Sequence, residues 1–243
     1  MKRRALIVLD GVMRGSFTVG ALRVFHEKLE SNFFDTTYSF SVGVFEQVFF
    51  AANQVETMEY VWRECVHGSK LINIFNIFKG KEILDLDYLI NLFQIEKTSL
   101  IFNNLLKSHM DAYCFATDSD TRLLKIFDLK KENIFDVMRA SCAVPFLHGS
   151  VKINGKGYID GALASKKDIE ENFNKICDKF DEVVVIDNGS NVMSLPNNLK
   201  IRLLRPSYVP LWHSLDTNRR RIIRMIEQGK SDARIFLQKY IEN

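Results

Sequence analysis

The chain has 243 residues, enough for one sizeable α/β core, and its composition is that of an ordinary globular protein: 47% hydrophobic, 26% charged and only four prolines. A net charge of +3 is too small to argue for nucleic acid, and no basic stretch interleaved with aromatics supplies a nucleic-acid module. The four cysteines (Cys65, Cys114, Cys142, Cys177) are far apart and no histidines cluster, which argues against a disulfide framework or a zinc site and fits reduced thiols in the cytoplasm; no cofactor is expected.

Met1 to Arg4 has the charge of a signal-peptide start, but the apolar run behind it, Ala5 to Leu9, is too short for an h-region and ends in Asp10. It reads as a buried parallel strand. No segment approaches the roughly 18 apolar residues of a membrane span. Asp10-Gly11-Val12-Met13-Arg14-Gly15 follows, and Ser16 then caps a helix whose Phe17, Ala21, Leu22, Phe25 and Leu29 recur at helical spacing. Strand, glycine-bearing loop and helix gather backbone N–H groups where an anion or a developing oxyanion is stabilised. The same pattern also fits a βα turn without a ligand.

Thr36 to Phe40 is a second strand, broken at Ser41-Val42-Gly43, after which an apolar helix starts. A serine at such a corner stands clear of the backbone, as in the nucleophile elbow G-x-S-x-G. Here the segment is Ser39-Phe40-Ser41-Val42-Gly43, with Ser39 in place of the first glycine. Residues 55–109, rich in Phe, Ile and Leu, predict two or three inserted helices, either a cap around an acyl-binding pocket or a plain helical layer. Tyr113 to Ala116 predicts another buried strand, running out through Thr117 to Thr121. The two aspartates there fit a polar turn better than a cation site, because the other ligands of a calcium loop are missing.

A helix reaching about Ser141 must stop before Pro145. Asn154-Gly155 is a hairpin signal between Val151–Ile153 and Gly157–Ile159, and the second hairpin strand delivers Asp160-Gly161-Ala162 at its end. Asp181 to Asp187 predicts a further parallel strand, Lys200 to Leu204 an edge strand, and residues 216–243 a closing helix with Ile222, Ile226 and Ile235 among its packing positions. From Lys200 onward there are ten Lys/Arg against four Asp/Glu. The cluster Arg219, Arg220, Arg221 and Arg224 suits either peripheral contact with anionic lipid or a solvated helix face.

Taken in order, these segments resemble the patatin-like phospholipases over nearly the whole chain. ALIVLDGVMRGSFTVGALRVF follows the family's opening pattern without a gap, placing Gly11, Met13, Arg14, Gly15 and Gly20 on expected positions. FDTTYSFSVG sits at the elbow, RASCAVPF with the hairpin and YIDGALA matches the segment carrying the catalytic aspartate, and IEQGKSDA is similar to bacterial members. The resemblance implies a single domain, a three-layer α/β/α sandwich on a mainly parallel sheet, and hydrolysis of lipid acyl esters by a Ser-Asp dyad. Ser41 is then the nucleophile and Asp160 its base, with an oxyanion hole around Gly11, Val12 and Met13 that Arg14 and Gly15 complete.

The chemistry is coherent. A serine hydroxyl needs a base to take its proton; a free aspartate, with pKa ~3.9, is a weak one, and removal from water makes a carboxylate more basic. Where the family has three glycines this chain has Asp10-Gly11-Val12, so a side chain at Val12 meets steric resistance if that position needs a positive φ. Two other readings stand beside the dyad: a weakly active or inactive patatin-like protein with a binding role, and an α/β-hydrolase triad of Ser41, Asp187 and His213.

Overall fold

The computed structural model describes residues 2–9, 11–80, 82–145, 147–188, 195–209 and 213–241. Asp10 lies outside them. The strands are β1 (Arg4–Val8), β2 (Thr36–Phe40), β3 (Asp111–Asp118), β4 (Leu124–Asp128), β5 (Val151–Ile153), β6 (Lys156–Asp160), β7 (Glu182–Ile186) and β8 (Ile201–Leu204). The helices are α1 (Gly15–Lys28), α2 (Gly43–Ala51), α3 (Val55–Glu64), α4 (Leu86–Leu92), α5 (Phe102–Lys107), α6 (Ile134–Ser141), α7 (Lys166–Lys179) and α8 (Arg219–Ile241). Residues 55–109 thus hold three helices, with a further helical turn over Ile74–Lys79. Among the described residues no helix is long and apolar enough to cross a membrane.

One mixed sheet runs β5-β6-β3-β2-β1-β7-β8, with β4 also paired to β3. Its centre, β3-β2-β1-β7-β8, is parallel throughout. Alternation along β1 divides the interior: Leu6 and Val8 join the core shared with α1, α2, α3 and α8, while Ala5 and Ile7 face Ile169, Phe173 and Ile176 of α7. The result is a three-layer α/β/α sandwich. Helices α1 and α8 cross tightly because glycines meet backbone: a Cβ on Gly20 would fall 1.9 Å from the Ile226 carbonyl oxygen, and one on Gly229 2.0 Å from that of Phe17.

Several sequence expectations are corrected here. Ser16 lies inside α1, behind a 3-10 turn at Val12–Arg14, and its hydroxyl donates to the Met13 carbonyl at 2.8 Å instead of capping the helix. Ile235 is 47% exposed, whereas Ile222 and Ile226 are fully buried. Strand β3 runs on to Asp118, past the expected Ala116, while the expected polar turn is present: Asp118 accepts hydrogen bonds from the Asp120 and Thr121 amides ahead of β4. Two elements, β4 and α7, have no counterpart in the sequence reading.

Candidate functional site

Ser41 immediately follows β2 and has φ 51°, in the left-handed region. For a serine this conformation costs ~1–2 kcal/mol. It is enforced because β2 before it and α2 after it are buried along their whole lengths. Gly43 lets α2 start hard against β1, since a Cβ there would lie 2.8 Å from the Val8 carbonyl oxygen. Ser39 is a fully buried strand residue, paired with Val8 on one side and Cys114 on the other. It contributes to the strand and takes no part in the turn.

Asp160 is the last residue of β6 and is 2% exposed. Its amide donates to the Ala143 carbonyl at 3.0 Å, and its Oδ1 accepts from the Ala162 amide at 2.9 Å, so both backbone and carboxylate are fixed in direction. The strand register brings this residue to Ser41. Along β3, Tyr113 to Phe115 pair with both β2 and β4, while Ala116 and Thr117 pair with both β4 and β6. A strand has two edges, so β2 and β6 occupy the same one, end to end. Phe40 faces Phe115 and Asp160 faces the next residue, Ala116. Ser41 therefore turns off this edge where Asp160 arrives.

Cys142, just beyond α6, reports on both residues. Burial pushes its thiol well above the usual range; the charge of Asp160 adds to the rise and the Ser41 hydroxyl opposes it. The thiol stays protonated and is a poor nucleophile.

The glycine-bearing loop lines the same pocket as the elbow. Gly11 has φ 154° and ψ 11°, a combination suited to glycine, and a Cβ on it would fall 2.2 Å from Asn188 Oδ1. Val12 has φ 49°, so the position does require the left-handed region although it carries a β-branched side chain. The Arg14 amide donates to the Gly11 carbonyl at 2.9 Å, closing the turn, and α1 begins at Gly15. The leading amides of such a turn have no intrahelical acceptor. Gly15 packs where a Cβ would meet Glu46 Oε1 at 2.5 Å.

Val12, Met13, Ser41, Val42 and Cys142 form one end of the pocket. Its walls are apolar and come largely from the inserted helical region, including Met58, Trp62, Leu71, Leu84 and Phe93. The volume open to the centre of a water molecule is only ≈ 30 Å³, so the pocket is a narrow slot.

Two residues not singled out from sequence, Asn188 beneath Gly11 and Glu46, shape this site together with Cys142, which lies beside the Ser41 and Asp160 side chains. Glu46 sits in the first turn of α2, is fully buried, and its carboxyl is pushed up to about 8 by burial, which the Trp62 indole and a backbone amide only partly offset. The position of Asn188, directly after the apolar strand ending at Asp187, was the one available signal. Asp187 is drawn to Arg205, whose Nε donates to its Oδ2 at 2.7 Å, while the side chain of His213 lies outside the described residues. Among the described residues no group of three or more His, Cys, Asp or Glu could hold a metal ion.

Of the arginine cluster, Arg219 is bound to Glu64 and Arg221 to Asp216. Arg220 and Arg224 are exposed and form no ion pair among the described residues.

Comparison with known proteins agrees with the fold. The model of the family described as patatin-like phospholipase matches residues 9–173, and the chain belongs to that family. Among solved structures it is similar to VipD from Legionella pneumophila, with a TM-score of 0.55 and 9% identity over 98% of this chain and 67% of that one. It is also similar to the type III effector ExoU of Pseudomonas aeruginosa, with a TM-score of 0.52 and 8% identity over 98% of this chain. The chain spans 53% of the length of that ExoU structure. No curated protein sequence matches it significantly.

Proposed function

We propose that the chain is a serine lipid acyl hydrolase of the phospholipase A or esterase type, with Ser41 as nucleophile and Asp160 as base. The observation that carries this reading is the shared edge of β3. A left-handed turn whose buried serine lines the apolar slot and a buried, oriented carboxylate arrive there at consecutive register positions. Family membership supports lipid ester hydrolysis at the level of the family.

On this reading Ser41 Oγ attacks the acyl carbonyl carbon as its proton passes to Asp160. The carbonyl oxygen becomes an oxyanion held by the amides of the Gly11–Met13 loop, with the α1 N-terminus behind them. Collapse breaks the ester C–O bond, and Asp160 returns the proton to the departing alcohol. Water then repeats the sequence on the acyl-enzyme, freeing the acid and restoring Ser41. One preset oxyanion donor is worth ~2.7–4 kcal/mol of transition-state stabilisation. The acyl chain lies in the apolar slot, where burial contributes ~0.8 kcal/mol per methylene.

A second reading, a weakly active or inactive protein that binds acyl ligands, is favoured by Val12, a branched residue at positive φ that lines the pocket beside Ser41. Hydrolysis of p-nitrophenyl acyl esters separates the readings. Asp160→Asn is expected to lower kcat/KM by ~10³-fold or more, with His213→Ala within a few-fold of the parent. The opposite pattern would favour a Ser41-Asp187-His213 triad, and no hydrolysis by the parent chain would favour the binding protein.

A further inference from the structure

Residues 71–85 leave the pocket wall, turn in solvent and return. The excursion is tied at its base by an antiparallel bridge between Ile72 and Leu84 and by amides of Asn73 and Asp85 donating to the Ile83 and Leu71 carbonyls, each at 2.9 Å. Leu71 and Leu84, at that base, line the slot that ends at Ser41. At the tip, on the turn Ile74–Lys79, Phe75 is 66% exposed and Phe78 86% exposed. Every other phenylalanine whose side chain is described is no more than 36% exposed. Single exposed apolar residues are common on protein surfaces; two aromatic rings projecting from one short turn are not an ordinary surface.

The charges around the tip point to its partner. Lys70 and Lys79 are exposed and form no ion pair among the described residues. The neighbouring acids are engaged: Glu82 with His148 at 3.2 Å and with the Gly149 amide, Asp85 with the Tyr88 amide, and Asp87 with Arg139. What the tip presents is therefore two aromatic rings beside the free ammonium group of Lys79, with that of Lys70 at the base of the excursion. A protruding tip of this size is far from the ~800 Å² a stable protein interface needs from each partner. It does suit a bilayer surface, where aromatic rings sit among the headgroups and lysines meet anionic lipid.

We infer that the 71–85 excursion is an anchor that inserts Phe75 and Phe78 into an anionic lipid surface and thereby sets the base of the excursion, and the slot behind it, against the membrane. The docking does not require Ser41 to be catalytic; only its use in delivering acyl chains rests on the proposed hydrolase reading. It also moves the membrane contact away from α8, where two of the four clustered arginines are held by acidic neighbours.

The test is sedimentation of the full chain carrying Ser41→Ala with phosphatidylcholine vesicles, with and without phosphatidylserine. The expected result is binding that strengthens with phosphatidylserine. Phe75→Ser with Phe78→Ser should lower the partition ~10-fold or more at an unchanged thermal midpoint, and Lys70→Glu with Lys79→Glu should remove the dependence on phosphatidylserine. Three results would overturn the inference: no binding by the parent chain; equal binding by the double-serine variant, with loss instead in Arg220→Glu with Arg224→Glu; or a parent dimer that the serine pair converts to monomer, making a second copy the occupant. Hydrolysis of a soluble short-chain ester by the serine pair, without the Ser41 change, reads the chemistry separately from docking.

Discussion

Two turns line the slot, and they share nearly the same φ: Ser41 at 51° and Val12 at 49°. Their chemistry differs. At Ser41 the left-handed turn presents a small hydroxyl, and the buried strand and helix on either side hold it there. At Val12 the same backbone carries a branched side chain in a position where the resemblance leads one to expect glycine. On the proposed reading the nucleophile side has kept the form that chemistry requires, while the anion side has narrowed. Strain on one side turns a reacting group toward the slot; on the other it limits what fits beside the loop.

After the loss expected for Asp160→Asn, changes in the glycine-bearing loop test this contrast. Gly11→Ala places a Cβ 2.2 Å from Asn188 Oδ1 on a backbone that suits only glycine. Displacing the amides in this way is expected to lower kcat for ester hydrolysis by ~10²-fold. Val12→Gly works in the other direction. It removes ~1–2 kcal/mol of left-handed strain and gives back ~0.5–1 kcal/mol in chain entropy. Denaturant titration should find stability changed by less than ~1 kcal/mol or slightly increased, and steady-state assays should find kcat/KM raised a few-fold. If Val12→Gly lowers activity at unchanged stability, the valine contributes to substrate positioning and the contrast between the two turns fails.

A separate effect, on stability and not on catalysis, concerns Glu46, which packs beneath Gly15. Its carboxyl is raised by burial to about 8 in the fold, against an ordinary value of 4.5. Below the ordinary value both folded and unfolded chains hold the proton, so this group adds no pH dependence. Between there and about 8 the unfolded chain has lost the proton and the folded one keeps it. Unfolding then releases a proton, and stability falls as pH rises, by at most ~1.4 kcal/mol per pH unit. Above that window the slope ends. Thermal melts from pH 5 to pH 8 should show a falling midpoint that Glu46→Gln largely flattens.

The legibility of these features from sequence follows a physical division. The β1, β2 and hairpin strands were readable because apolar runs and an Asn154-Gly155 turn encode them locally, and the structure gives both turn residues positive φ. Ser41 and Asp160 were readable as candidates because each stands at the end of such a run. Strand β4 was not: Lys125 and Ile126 are both exposed on its course, so no apolar run marks it. Helix α7 carried a usable signal in the Ser165 cap and in Ile169, Phe173 and Ile176, diluted by the surrounding charges. Glu46 and Asn188 act only through contacts between elements far apart in the chain. No local pattern could show that the first lies under α1 and the second under Gly11. The pocket walls depend in the same way on how residues 55–109 dock over the sheet.

The central claim is that Ser41 is an activated nucleophile whose reactivity depends on Asp160. Fluorophosphonate labelling of the folded chain, followed by peptide mass analysis, tests it directly. The account predicts one equivalent of label on the peptide containing Ser41, none in Ser41→Ala, and strongly slowed labelling in Asp160→Asn. A folded parent chain that takes no label, or label that survives Ser41→Ala, would contradict it.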